Sequence, residues 1–103
     1  PSNTDPYVQE LMQQAIIAWN KGQLSEPYQN SALSFYHRIL ESDPNNVDAL
    51  SGIDRLANHY LNQAKREMNR GDYFSALDYA DLGLKADPLN PELNTIKAQL
   101  INE

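Results

Sequence analysis

Apolar side chains recur at spacings of three and four residues along most of this 103-residue chain, which is the period of an amphipathic α-helix. The first such stretch predicts a helix from about Pro6 to Lys21, with an apolar stripe made of Val8, Leu11, Met12, Ala15, Ile16 and Trp19. A second stretch, from about Ser31 to Ser42, carries Leu33, Tyr36, Ile39 and Leu40. Because each stripe needs an apolar surface to cover it, we expect the two helices to pack as an antiparallel pair.

A longer apolar register predicts one continuous helix from Val47 to Arg70, with apolar positions at Leu50, Ile53, Ala57, Tyr60, Ala64 and Met68. Gly52 costs about 1 kcal/mol relative to alanine in a helix interior, so a bend or break there stays an alternative. A fourth helix is expected from the cap Asp72 to about Ala86, with Tyr73, Ala76, Leu77, Ala80 and Leu84 on its apolar side. A fifth begins at Pro91 and carries Leu93, Ile96 and Leu100. No segment favours a strand.

Residues that begin and end helices stand at the borders of these segments. Capping side chains precede a proline at two of the expected starts, Asp5-Pro6 and Asn90-Pro91. The expected stops carry residues that commonly end helices, namely Gly22, Gly71, Pro44 and Pro88.

The two halves of the chain share this layout. Ala15 and Ala64 are 49 residues apart, as are Gly22 and Gly71, whereas Ala32 and Ala76, like Pro44 and Pro88, are 44 apart. Fixed offsets of this kind are the signature of an internal repeat. The difference between the offsets places an insertion in the first copy, within the loop from Leu24 to Asn30.

The run from Gly71 to Leu77, followed by Pro88 twelve residues after Ala76, resembles the tetratricopeptide repeat. The resemblance implies an all-α fold of antiparallel hairpins stacked as a short solenoid, one domain over residues 1–103. Its first repeat would span residues 6–44 with the loop 23–30 inserted, its second residues 47–90 with an extended first helix, and a trailing helix residues 91–103. Small residues would lie where paired helices touch, at Ala15, Ala32, Ala64, Ala76 and Gly83.

The chain departs from the family pattern in both copies. Gln14 and Gln63 stand where the family places leucine, and Ala18 and Glu67 replace its large aromatic residue. The combination of an interrupted first loop with a long helix is also similar to tetratricopeptide-like segments of multidomain bacterial envelope and signalling proteins. That second resemblance implies a cytoplasmic or periplasmic part of a membrane-anchored protein and leaves the compartment open.

A polar stripe on the third helix is the main candidate site. Its members follow at spacings of four, three and four residues and so share one helical face: Asn58, Asn62, Lys65 and Asn69. In the family this face lines the inner groove, which in the first repeat would be lined by Gln9, Met12, Gln13, Ile16 and Asn20. Amides both donate to and accept from an extended peptide backbone, so we expect a peptide-binding face. A merely solvated face is the alternative.

Other chemistries find little support in the sequence. Acidic residues outnumber basic ones by 14 to 8, which disfavours nucleic acid as a partner. His37 and His59 lack a second ligand at a metal-binding spacing, and Asp78 and Asp81 lack a nucleophile nearby, so neither an enzyme nor a metal or other cofactor is expected. The longest apolar run, Ala15 to Trp19, is too short to enter a membrane as a span.

We therefore expect an interaction module that binds a peptide or partner domain through its inner helical face. The alternative is a structural spacer or oligomerisation domain in which the trailing helix, Pro91 to Glu103, packs against a further repeat or a second copy of the chain. An apolar outer face on that helix would favour the spacer, and a polar one the interaction module.

Overall fold

The computed structural model describes residues 5 to 102, and in this range it is all-helical. The five helices are α1 (Pro6–Asn20), α2 (Ala32–Ser42), α3 (Val47–Asn69), α4 (Tyr73–Ala86) and α5 (Pro91–Ile101). The expected all-α fold is confirmed. Helix α3 continues through Gly52, so the alternative of a break there is wrong. The last residue of the predicted trailing helix, Glu103, lies outside the described residues.

Side-chain caps begin the helices that the sequence marked. The Asp5 carboxylate accepts a hydrogen bond from the Tyr7 backbone N–H at 2.9 Å, and Asp72 accepts one from the Ser75 N–H at 3.0 Å. Each bond satisfies a donor that the first helical turn leaves unpaired. The same role falls to Ser31 at the start of α2 and to Asn90 at the start of α5.

Helices α1 and α3 end in the same hydrogen-bonded turn. Gly22 and Gly71 both have φ of +79°, a left-handed conformation that glycine adopts without strain. In α1 the Gln23 N–H donates to the Ala18 carbonyl at 2.8 Å, and in α3 the Asp72 N–H donates to the Glu67 carbonyl at 2.9 Å. Both ends are Schellman motifs, and they lie 49 residues apart.

The turns that follow α2 and α4 also match. The Asn46 side chain accepts from the Ala49 N–H at 2.9 Å, and 44 residues later Asn90 accepts from the Leu93 N–H at 2.9 Å. Each asparagine is the last residue of an Asp-Pro-x-Asn segment. The repeated residues thus specify the same local backbone at both places.

The chain forms two compact units, residues 1–53 and 54–103. In the first unit α1 packs against α2. Its buried apolar side chains are Val8, Leu11, Ala15, Ala18, Ala32, Leu33, Phe35, Tyr36, Ile39 and Ala49. Two small residues, Ala15 and Ala32, are fully buried, as expected where helix axes approach closely.

In the second unit the remainder of α3 shares a core with α4 and α5. This core contains Ala57, Leu61, Ala64, Ala76, Ala80, Leu93, Ile96 and Leu100. Gly83 is buried, and a Cβ atom at that position would lie 2.7 Å from Leu93 Cδ1. The buried residues of α4 are all alanine or glycine, so its backbone lies close to its neighbours.

Three apolar residues assigned to the core stripes are exposed instead. Ile16, Leu50 and Tyr73 keep 51%, 46% and 49% of their surface accessible. The buried face of α3 begins at Ala49 and Gly52, which turns Leu50 outwards because adjacent residues are about 100° apart around a helix. Tyr73 is the first residue of α4 and precedes its buried stripe. The buried face of α1 continues from Ala15 to Ala18, which leaves Ile16 at its margin.

Candidate functional site

The predicted stripe on α3 is exposed along its length. Its four residues lie on one side of the helix, and all are solvent-accessible: Asn58, Asn62, Lys65 and Asn69. Their neighbours Leu61 and Ala64 are buried in the core of the second unit. Helix α3 is therefore anchored by one face while the stripe beside it is presented to solvent.

The positive charge on this stripe is compensated by a carboxylate of α5. Lys65 Nζ lies 3.2 Å from Glu92 Oε2 on α5, and both groups are half exposed or more, so the pair contributes little to stability. Asn58 Nδ2 donates to Asp54 Oδ2 at 3.4 Å. Within the described residues the Asn62 and Asn69 amides make no side-chain hydrogen bond, so their donors and acceptors face water.

A shallow cleft of about 240 Å³ adjoins the stripe. It is lined by Lys65 from α3 and by Pro91, Glu92, Thr95 and Ile96 from α5. The Lys65–Glu92 ion pair lies at this cleft, whose surface is mainly apolar. The cleft thus places an apolar contact beside two exposed amides within one unit.

The residues predicted from the first repeat form a similar stripe on α1. All are exposed except the half-buried Met12: Gln9, Met12, Gln13, Ile16 and Asn20. An offset of 49 residues takes Gln9, Gln13 and Asn20 to Asn58, Asn62 and Asn69. Amides therefore recur at three equivalent positions, and Ile16 takes the place of Lys65. The α1 stripe belongs to the first unit and the α3 stripe to the second.

A second cavity, of about 180 Å³, lies in the first unit and was not anticipated from the sequence. It is bordered by the last turn of α1 with Ile17, Ala18 and Lys21, by Gln23 and Asn30 of the inserted loop, and by Phe35 of α2. Comparison of the two repeats could have found it, because Ala18 takes the place of Glu67.

The histidines do not form a metal site in the described part of the chain. His37 Nδ1 lies 2.7 Å from the Tyr28 hydroxyl, and His59 contacts the Tyr60 ring edge-on at 5.2 Å between centroids. Burial lowers the pKa of His37, and Glu41 opposes this effect. Between residues 5 and 102, no three His, Asp or Glu side chains are placed to hold an ion.

The remaining candidates are ordinary surface groups. Asp81 pairs with Lys97 at 2.8 Å, and Asp78 is exposed. Tyr28, an aromatic residue of the inserted loop, is half accessible. Across residues 5 to 102, no helix combines the length and the apolar character that crossing a membrane requires.

Comparisons of the chain with protein-family models, with curated proteins and with solved structures gave no match.

Proposed function

We propose that the chain is a tetratricopeptide-like interaction module that binds an extended segment of another protein along the exposed side of α3. The observation that carries the proposal is the recurrence of exposed amides at equivalent positions of α1 and α3, 49 residues apart. A solvated face has no need to keep the same side-chain chemistry in both copies.

The amides on α3 fit a ligand backbone in an extended conformation. Asn62 and Asn69 are two helical turns apart, about 10 Å along the axis at 1.5 Å per residue. Extended chain covers that distance in about three residues. Each amide offers both a donor and an acceptor, so a bound segment would be recognised by its backbone before its side chains.

The cleft beside Lys65 supplies a place for one apolar side chain of the bound segment. Its volume of about 240 Å³ suits a branched aliphatic group. Because Lys65 is neutralised by Glu92, the face carries no strong preference for ligand charge. A disordered peptide loses conformational freedom on binding, so the affinity is expected to be about micromolar.

The outer side of α5 supports the interaction module over the spacer. Its exposed residues include the polar Glu92, Asn94, Thr95 and Gln99, and its one large exposed apolar residue is Ile101 in the last turn. Two exposed apolar residues on the second unit, Phe74 and Leu89, favour the oligomerisation alternative, since each keeps 88% of its surface accessible. Sedimentation equilibrium of wild type and Phe74→Ser tests that alternative, which requires a dimer that the substitution weakens.

A peptide array compares wild type with the Asn62→Ala/Asn69→Ala variant. Alanine favours helix more than asparagine does, so circular dichroism is expected to show an intact fold while peptide capture falls. The matched control removes two exposed amides elsewhere, Asn45→Ala/Gln99→Ala. Equal capture by wild type and the stripe variant excludes the α3 face as the site.

A further inference from the structure

Two residues that line the cavity in the first unit correspond to an ion pair in the second repeat, and this correspondence indicates the kind of ligand that the cavity binds. An offset of 49 residues takes Ala18 to Glu67 and Lys21 to Arg70. In the second unit the Glu67 carboxylate lies 3.3 Å from Arg70 Nη1, and its side chain is almost fully buried. In the first unit alanine replaces the glutamate, and the cavity lies against Ala18 and Lys21.

Lys21 is left without the partner that its counterpart has. Across the described residues, the Lys21 ammonium forms no ion pair, whereas Arg70 is paired with Glu67. A second cation is close by, because the Arg38 guanidinium carbon lies 5.1 Å from the centroid of Phe35, a residue that lines the cavity. No carboxylate lines the cavity; Glu10 approaches it by accepting a hydrogen bond from the lining residue Gln14 at 2.9 Å.

The rest of the wall is apolar or amide-bearing. Ile17 and Phe35 supply apolar surface, and Gln23 and Asn30 supply amide groups. We propose that this cavity binds a carboxylate attached to a small apolar group, with Lys21 pairing with the carboxylate and Ile17 and Phe35 contacting the apolar part. The ligand's carboxylate takes the place that the Glu67 carboxylate takes in the second unit.

Backbone hydrogen bonds fix the loop segment that borders the cavity. Gln23 donates its N–H to the Ala18 carbonyl at 2.8 Å and accepts the Ala32 N–H on its own carbonyl at 2.8 Å. Leu24 likewise accepts the Leu33 N–H at 2.9 Å. The inserted loop is therefore fixed to both α1 and α2, so little ordering is required on binding.

The helix end itself does not exclude an anion. The end of α1 carries partial negative charge, but its Ile17, Ala18 and Trp19 carbonyls already accept backbone hydrogen bonds. Glu67 occupies the same helical position at the end of α3, where Arg70 compensates its charge. Lys21 has the corresponding role toward the ligand.

Two sources share this chemistry, the C-terminal carboxylate of a protein and a free aliphatic acid. The probes are N-acetyl-leucine, its amide N-acetyl-leucinamide, and the tripeptide Ala-Ala-Leu as free acid and as amide. Binding is followed by amide chemical shifts of Ala18 and Gln23 in the intact chain. Both acids are expected to bind, and both amides are expected not to bind. Saturation by the tripeptide acid would identify the ligand as the C-terminus of a protein. Saturation by N-acetyl-leucine alone would identify it as a free acid.

Variants test the two positions that define the site. Lys21→Gln removes a charged hydrogen-bond donor and is expected to raise the Kd about tenfold, whereas Lys21→Arg retains binding. Ala18→Glu supplies the missing carboxylate from the protein and is expected to abolish binding. Arg66→Gln removes one positive charge from an exposed site in the second unit and is the matched control.

Equal binding of acid and amide overturns the proposal, as does an unchanged Kd for Lys21→Gln. Should Ala18→Glu fail to fold, Lys21→Gln and the acid–amide comparison still decide, because Lys21 is exposed at the end of α1. The site involves no residue of the α3 stripe, so loss of peptide capture in the Asn62→Ala/Asn69→Ala variant leaves this proposal unaffected.

Discussion

Gly52 lies against the buried ring of Tyr36 so closely that a Cβ atom at position 52 would overlap the ring. Tyr36 is among the largest fully buried side chains. The glycine therefore lets α3 approach α2 at a point where any side chain would separate them. A residue that looked like a weak point in the helix is required by packing.

Gly52→Ala is expected to destabilise the protein although alanine favours helix by about 1 kcal/mol. Overpacking a core costs about 1–3 kcal/mol, and we expect this steric cost to dominate because the Tyr36 ring that the Cβ atom would overlap is buried. Urea denaturation of the variant measures the difference. Ser51→Ala, at the adjacent exposed position, is the control and is expected to be neutral or slightly stabilising. A more stable Gly52→Ala variant would contradict the packing argument.

Gly71 is needed for a different reason, its backbone conformation. A Cβ atom there meets nothing within 4 Å, but φ is +79°. Gly71→Ala is therefore expected to destabilise by about 1 kcal/mol through backbone strain alone. Replacement by D-alanine in synthetic protein removes that strain and is expected to stabilise. At Gly52 both L-alanine and D-alanine are expected to lower the melting temperature. Thermal denaturation of the four variants therefore distinguishes the conformational role of Gly71 from the packing role of Gly52.

The helices could be predicted from sequence to within a residue or two because caps and stops act locally. Asp5 and Asn90 satisfy N–H groups of their own helices, and Gly22 closes a turn on residues just before it. The orientation of a helix is a different matter. Whether Ala49 or Leu50 faces inwards depends on where Tyr36 meets α3, which local spacing does not encode.

The sequence predicts which residues share the candidate face, but it does not predict that the Lys65 charge is paired. The face shared by Asn58, Asn62 and Asn69 follows from helical periodicity alone. The pairing of Lys65 with Glu92 joins residues 27 positions apart and depends on the packing of α5 on the second unit. The cavity at Lys21 likewise needed the conformation of the inserted loop, where Asn30 adopts a positive φ of 67°.

Ala76 tests the close contact of α4 with its neighbours. Its side chain is fully buried in the core of the second unit, so Ala76→Arg would place a long cation where a methyl group fits. Loss of several kcal/mol, or failure to fold, is expected. Asp78→Arg introduces the same side chain at an exposed position of α4 and is expected to have little effect. An unchanged melting temperature for Ala76→Arg would mean that residue 76 is not in the core.

The Tyr28–His37 contact ties the inserted loop to α2. The two ring centroids are 5.8 Å apart, and the hydroxyl lies 2.7 Å from Nδ1. A neutral imidazole with a free lone pair on Nδ1 can accept a hydrogen bond from the Tyr28 hydroxyl. Partial burial lowers the pKa of His37, with Glu41 acting in the opposite direction, so the folded chain favours the neutral ring.

The sign of the pH dependence follows from that shift. Because the folded pKa lies below the ordinary value of 6.5, the unfolded chain binds more protons between the two values, and stability falls as the pH is lowered through this window. Above pH 6.5 His37 is neutral in both the folded and the unfolded chain, so this loss of stability does not occur. Urea denaturation of wild type at about pH 8 and pH 5 is compared with His37→Gln, which cannot titrate. Between pH 8 and pH 5 the free energy of unfolding of wild type is expected to fall by more than that of the variant. Parallel pH profiles would show that His37 titrates alike in the folded and unfolded chains, and would remove burial at the Tyr28 contact as a source of acid sensitivity.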